Sequence, residues 1–452
     1  MKDEYRDAVI VIPGIMGSEL VDTDSGDVLW GLSDPRWYVR AWTSGSSLTA
    51  LRVTDDERLG RTGRITATRL LRFPAFAPVL RGAEPYTRLL SGLREVAAHP
   101  DAVAEFPYDW RLAVEHNAGE LAKLAEQHLA RWRAHPAGGK DAKLVLVAHS
   151  MGGLLARYFT TTLGVAGEVR ATITLGTPFR GAVKAACILG QGLGTPLPLP
   201  RRRLRDLART FPGVHALLPS YRCVDEGSTA RRLSVADVTA IGGDPDLARQ
   251  AADLHDDLAR SSGTARAVVG VWQPTMQSLV LRDGVVEPKY YTCEHSGTDG
   301  VRRIDRGGDG TVYRDSASGG VAPVYLPQAH GALAKTSEVI AHVQAVLTET
   351  ELGPPLGATV VGLDVPDVVQ AGKPFDIVVS TGETPGDTVS CRMVDAVSGA
   401  GVSRPIPRRR DGTLVATAAA PKPGLYRVEV KAGGFSAVTE LVLAADSEDF
   451  GG

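Results

Sequence analysis

Residues Leu144 to Phe159 read LVLVAHSMGGLLARYF, an apolar run entering a His-Ser-Met-Gly-Gly turn and then a helical pattern. A strand that reverses around a serine between small residues has the form of a nucleophile elbow. Small neighbours are needed because larger side chains would clash in so tight a turn. Ser150 is then held at the carboxyl end of a sheet and at a helix N-terminus, where backbone N–H groups can stabilise an oxyanion. Ala148 stands where the G-x-S-x-G form has its first glycine, and its methyl still fits the turn. By itself the turn is equally that of a packing or capping serine.

A serine nucleophile needs a histidine base, and the base needs a carboxylate to fix its tautomer. In hydrolases built on an elbow these follow in the order Ser, Asp or Glu, His. Downstream, GGDGTVYRD (307–315) places Asp309 in a glycine-rich loop, and PQAHGAL (327–333) places His330 before the last helix of the α/β region. Asp299 and Asp305 are nearby rivals, and singly Asp309 fits a turn or a calcium loop, and His330 a helix cap. Jointly, with the elbow ahead of them, Ser150, Asp309 and His330 predict a catalytic triad. His149 is a poor base, since adjacent side chains in an elbow point apart. The loop in VIPGIMGSEL (11–20) follows the first strong strand, so the N–H of Ile15 or Met16 is expected to pair with that of Met151 as the oxyanion hole.

The surrounding pattern supplies elements to hold these residues. AVIVIP (8–13), VAEFPYDW (103–110), KLVLVAHS (143–150), ATITLGTP (171–178) and AVVGVW (267–272) read as strands. Leu121, Leu124, His128, Leu129 and Trp132 recur at helical spacing between two of them, and SEVIAHVQAVL (337–347) is a further amphipathic helix. Strands alternating with helices predict an α/β fold with a doubly wound, mostly parallel sheet. After Gly353-Pro354-Pro355 the helical period stops. Short runs at 375–380, 388–396, 413–419, 425–430 and 437–443 alternate between Gly/Pro/Asp turns, which predicts a small antiparallel, immunoglobulin-like β-sandwich. Arg408 to Arg410 reads as part of a solvated hairpin turn. The expected divisions are 1–352, with a cap at about 183–265, then the sandwich at 353–446 and a tail at 447–452.

Composition narrows the function classes. The chain has 452 residues and a formal net charge of −2, so no global attraction to nucleic acid is expected. The start, MKDEYRDAVIVIPG, lacks a basic signal-peptide region, and no apolar stretch approaches the ~18 residues of a membrane span. Cys187, Cys223, Cys293 and Cys391 are scattered, which fits a reducing compartment, and a cytoplasmic location is expected. Neither a metal nor a cofactor pattern is present.

Beyond these single features, the chain resembles the lecithin:cholesterol acyltransferase-like α/β-hydrolases. The resemblance is carried in order by IPGIMGSEL (12–20), FPYDWR (106–111), AHSMGGLLARY (148–158), LGTPFRGA (175–182), RTFPGVHALLP (209–219), GDGTV (308–312) and AHG (329–331). It implies an α/β-hydrolase sheet, a cap over the serine and acyl-ester chemistry on lipids. It also implies Ser150 as nucleophile, Asp309 as orienter, His330 as base, and an oxyanion loop at Ile15 and Met16. Asp109 and Arg111 are expected to pair and hold a loop. Secreted members carry a signal peptide and a lid-pinning disulfide, and neither is expected here; the C-terminal sandwich is not part of the family's core.

The expected function is hydrolysis or transfer of the acyl group of a phospholipid or similar lipid. The alternatives are a short-chain esterase or thioesterase and, in another class, a non-catalytic lipid- or protein-binding module. Apolar AACILGQGLGTPLPLP (185–200) followed by Arg201, Arg202, Arg203, Arg205 and Arg209 would suit an anionic membrane surface, or a basic solvated helix face. Trp37, Tyr38 and Trp42 are a second lipid-facing candidate, or core. A protein partner would engage the sandwich.

Overall fold

The computed structural model describes residues 4–31, 49–71, 86–192, 201–260, 264–295, 300–319, 321–350, 361–381, 389–410, 413–432 and 437–445. Its centre is a six-stranded sheet of β1 (Ala8–Ile12), β2 (Val103–Glu105), β3 (Leu144–His149), β4 (Val169–Leu175), β5 (Arg266–Gly270) and β6 (Val321–Leu326), in the order 6-5-4-3-1-2. Every pairing in it is parallel. β1 and β3 are buried along their whole length, so both faces must be covered. Helices α1 (Thr87–Glu95), α2 (Val114–Ala134), α3 (Gly152–Thr161) and α7 (Ser337–Thr348) accompany the strands. In α2 the inward face is Leu121, Ala125, His128, Leu129 and Trp132, close to the expected period.

Register decides where the site forms. Ile12 lies opposite Ala148, His149 opposite Leu175, and Gly270 opposite Leu326. The loops after β1, β3, β4, β5 and β6 therefore leave the sheet along one edge. The chain also switches direction about β1, which has β2 on one side and β3 on the other. That switch point opens the crevice where ligands bind in such sheets.

The accessory layer contains α4 (Val183–Gln191), α5 (Arg201–Ala208) and α6 (Pro245–Arg260). It also contains a sheet in which Arg222–Asp225 and Ala230–Arg232 are joined by Ser278–Arg282 and Val285–Lys289. Residues beyond β5 thus complete a layer that the sequence placed at 183–265. The reason is a long-range pairing, Leu279 with Val224, that local pattern does not encode.

The C-terminal strands are β7 (Val361–Asp364), β8 (Val368–Gln370), β9 (Pro374–Thr381), β10 (Ser390–Asp395), β11 (Gly401–Ser403), β12 (Arg408–Arg410), β13 (Thr413–Ala419), β14 (Gly424–Lys431) and β15 (Val438–Ala445). They form sheets ordered 7-9-13-12 and 8-15-14-10-11, which enclose Ile377, Val379, Met393, Val428 and Val442. Two details differ from the sequence reading. β8 pairs parallel with β15, so the sandwich is not wholly antiparallel. The three arginines expected in a turn form edge strand β12, solvated as expected, because their backbone finds partners in β13. The linker at Gly353-Pro354-Pro355 lies outside the described residues, as does the tail at 447–452.

Candidate active site

At the end of β3 the chain turns through Ser150, whose φ is 52°, a left-handed value uncommon for any residue but glycine. Its N–H donates to Leu175 O at 2.9 Å, and α3 begins two residues later. A side chain at Gly152 would put its Cβ 2.4 Å from Pro13 O, so the turn needs glycine there. The serine is 5 % exposed.

The structure brings the three expected residues into one hydrogen-bonded line. His330 Nε2 lies 2.9 Å from Ser150 Oγ, and His330 Nδ1 lies 2.7 Å from Asp309 Oδ2. Asp309 is 1 % exposed, and its other oxygen accepts from the N–H groups of Thr311 at 3.0 Å and Val312 at 2.7 Å. That leaves Oδ2 aimed at the imidazole and sets the ring's proton on Nδ1. His330 N–H donates to Asp309 O at 2.7 Å, so the Asp309 and His330 loops are also tied through their backbones. The rival Asp305 is engaged elsewhere, accepting from Gln277 Nε2 at 2.6 Å and Gly307 N at 2.7 Å. Asp299 lies outside the described residues.

The loop after β1 lies against the serine. A Cβ on Gly14 would be 2.8 Å from Ser150 Cβ and 3.4 Å from Ser150 Oγ. Three side chains brace it: Gly14 N–H donates to Tyr86 Oη, Tyr108 Oη donates to Pro13 O, and Trp30 Nε1 donates to Met16 O. Gly17 N–H turns back to Gly14 O. Among the described residues, the N–H groups of Ile15, Met16 and Met151 donate to no other group. Met16, like Ser150, sits at positive φ, 61°. Strain of this kind persists where the surroundings over-determine it, and it gathers at functional sites.

Residues 79–239 match the family model described as lecithin:cholesterol acyltransferase. The lysosomal phospholipase A and acyltransferase of Homo sapiens is 32 % identical over 117 residues, 25 % of this chain and 27 % of that protein. Its Rattus norvegicus counterpart is 27 % identical over 237 residues, 47 % of this chain and 56 % of that protein. Over residues 79–239 the chain is similar to the lecithin:cholesterol acyltransferase family, on an α/β-hydrolase fold. It thus spans between about a quarter and just over half the length of these curated relatives. Two solved structures are also similar in chain course. The Tle4–Tli4 complex has a TM-score of 0.49 at 14 % identity, covering 76 % of this chain and 97 % of that one. Mature Bacillus licheniformis lipase BlEst2 has a TM-score of 0.29 at 12 % identity, covering 77 % and 94 %. The family match includes Ser150 but stops before Asp309 and His330, which stand on their geometry.

One network in the α/β body escaped the sequence. His149 is buried beside Ser150 and His330, with Tyr86 Oη 2.9 Å from its Nδ1 and His330 O 3.1 Å from its Nε2. A carbonyl only accepts, so Nε2 carries the proton. Tyr86 Oη already accepts from Gly14, so its own proton goes to Nδ1. Burial, then the neighbouring His330 ring, pushes His149 down to about 3, and the ring stays neutral. Tyr86 and His149 thereby join the Gly14 loop, the elbow and the His330 turn. Tyr86 lies 63 residues from His149 in sequence, and no spacing signal points to it.

Asp109 and Arg111 pair as expected. Arg111 is fully buried and donates from Nε and Nη2 to the two Asp109 oxygens at 2.9 and 2.6 Å. The same guanidinium reaches Glu57 Oε1 at 2.9 Å and Leu51 O at 2.9 Å, anchoring segment 49–58 to the sheet edge. Burial alone would weaken the arginine's charge, but the two carboxylates overcome it and hold its pKa above the usual value.

Arg201, Arg202 and Arg203 are exposed on α5, while Leu204, Leu207 and Ala208 on the same helix are buried. The helix therefore shows water its arginines and packs its apolar side inward. Trp37, Tyr38 and Trp42 lie outside the described residues. His99, Asp101 and His135 form a group with the donor types of a metal site. Yet Nδ1 of His99 accepts from Asp101 N at 3.2 Å, and Nδ1 of His135 from Ala137 N at 3.1 Å. Each neutral ring then keeps its proton on Nε2 and offers no lone pair to an ion.

Proposed function

We propose that the protein is a serine acyl hydrolase or acyltransferase acting on phospholipids or similar lipid esters. The observation that carries the chemistry is the line from Ser150 Oγ through His330 to Asp309, at 2.9 and 2.7 Å. In this reading Ser150 Oγ attacks the ester carbonyl carbon as His330 Nε2 takes its proton, and the carbonyl π electrons move onto oxygen. The N–H groups of Met151 and of Ile15 or Met16 receive that oxyanion. When it collapses, the C–O bond to the leaving alcohol breaks and His330 returns the proton to that alcohol. Water or a second alcohol, deprotonated by His330, then takes the acyl group from Ser150. Asp309 holds the imidazole tautomer throughout.

The lipid part of the reading is supported by the family match and by the names of the relatives. Exposed Arg201, Arg202 and Arg203 support transient contact with an anionic membrane surface. Loss of binding to anionic vesicles in the triple arginine-to-alanine variant is its test. The strand order supports an immunoglobulin-like sandwich. Four free, buried cysteines support a cytoplasmic setting, and cell fractionation tests it.

The deciding experiment is mass spectrometry of the products from mixed phospholipid and neutral-lipid vesicles, comparing wild type with Ser150→Ala. Free fatty acid and lysophospholipid made only by wild type are expected, with acylated alcohol marking transfer. Cleavage of short soluble esters alone would replace the lipid reading with the esterase one. No Ser150-dependent product from either substrate would overturn both.

A further inference from the structure

The loop after β5 joins the C-terminal sandwich to the Asp309 loop. Gln273, 2 % exposed, pairs its side-chain amide with the edge of β7. Nε2 donates to Val361 O at 3.0 Å, and Oε1 accepts from Leu363 N at 3.0 Å. The two partners fix the orientation of the amide, because a carbonyl needs a donor and an N–H an acceptor. The backbone of the same residue faces the acid loop. Gln273 N–H donates to Gly308 O at 2.9 Å, and Gln273 O accepts from Thr275 Oγ1 at 2.7 Å. Thr275 Oγ1 in turn accepts from Gly310 N at 2.9 Å. Gly308 and Gly310 are the two neighbours of Asp309.

The sandwich touches the base loop as well. Ala329 and Ala332, on either side of His330, belong to the same apolar cluster as Val361 and Leu363. Next to Gln273, Trp272 sits at a φ of 69°, strained for a bulky side chain. A Cβ on Gly362 would be 2.2 Å from Trp272 O, so β7 lies flush against this strained turn. A strained residue stays in place only where its neighbours leave it no alternative. Here the neighbour is the sandwich.

We infer that the C-terminal sandwich is a working part of the active site and that Gln273 is the positioning residue through which it holds Asp309 and His330 in line. Gln273 reaches no reacting atom; its effect passes through the backbone of the acid loop. The inference rests on the reading of Ser150 as nucleophile only for its kinetic consequence, not for the geometry it asserts.

The test uses the full chain in three forms: wild type, Gln273→Met and Gly362→Ala. The first substitution keeps volume and removes both amide bonds. The second pushes β7 off Trp272 from the sandwich side, leaving the hydrolase body unaltered. The probe is a fluorophosphonate that labels an activated serine, read as kinact and KI separately, with hydrogen exchange over residues 305–313, 327–333 and 361–364 in parallel. Both variants are expected to lose about tenfold or more in kinact, the scale set by small misplacements of catalytic groups. KI should stay within about twofold, because a positioning residue does not contact the bound probe. Exchange should rise in both triad loops while β3 stays protected. Unchanged kinact together with faster exchange at 361–364 would overturn the inference, since the sandwich would have loosened without consequence. Exchange rising throughout, β3 included, would reduce Gln273 to a stability role and overturn it too. If wild type takes no label at Ser150, the functional reading falls instead. Loop exchange alone then decides, and triad loops that exchange no faster in either variant refute the positioning.

Discussion

Substituting Tyr86→Phe removes one oxygen and disconnects two loops. In the native structure that oxygen accepts from Gly14 N at 2.9 Å and donates to His149 Nδ1 at 2.9 Å. Both partners are buried, and Phe leaves each without a substitute. An unsatisfied buried group costs about 1–3 kcal/mol, so the pair should destabilise the fold by roughly 2–4 kcal/mol once partial relaxation is allowed. Activity should fall by a separate route. Gly14 sits so close to Ser150 that its Cβ would be 2.8 Å from the serine's, so a shift of this loop moves the proposed oxyanion donors directly. Displacements near 1 Å can cost about a hundredfold, and a loss of ten- to hundredfold in kcat on a soluble ester is expected with little change in KM. Urea unfolding gives the first quantity and steady-state kinetics the second. A double-mutant cycle with His149→Gln separates a network from two local effects. Residues in one hydrogen-bond chain should couple by more than about 0.5 kcal/mol. Wild-type stability and wild-type kcat in Tyr86→Phe, or strict additivity in the cycle, would refute the reasoning.

Three further outcomes are expected. Asp309→Asn should lower kcat about 10⁴-fold with binding retained. Its carbonyl will face the N–H groups of Thr311 and Val312, turning its NH2 toward His330 Nδ1 and forcing the ring proton onto Nε2; a loss under tenfold would contradict this. His149 protonates near 6.5 when free and near about 3 when folded. Between those values the unfolded chain binds more protons, so stability falls as pH falls, by about 1.4 kcal/mol per unit from this group. His149→Gln should therefore show a shallower loss of urea resistance from pH 6.5 to 4, and an equal slope would exclude the assignment. Arg111→Met strands Asp109 as a buried carboxylate and leaves Glu57 to Arg64 and Thr54, and should cost about 3–5 kcal/mol in urea unfolding. A cost under 1 kcal/mol would mean the cluster is not acting as a buried ion pair.

The sequence by itself determined the elements and the residue types of the site. Buried parallel strands declare themselves as continuous apolar runs, as in AVIVI of β1 and LVLVAH of β3, because both faces exclude water. The elbow was legible because its constraint is local: a positive φ at Ser150 with glycine at 152 demands small residues at fixed spacing. Asp309 and His330 were found as types in an order, and Arg111 with Asp109 because two residues of separation suffice for contact. Tertiary structure decided everything that depends on approach between distant segments. The register Ile12 to Ala148 set the Gly14 loop against the serine. Tyr86 reached His149, Glu57 joined Arg111, and residues 278–289 completed a sheet begun at 222. The sandwich offered the same lesson, since alternation revealed its strands and nothing local revealed that Gln273 would clasp the edge of β7. Local pattern reports what a residue must avoid or bury; which partner satisfies its hydrogen bonds is settled only when the chain is packed.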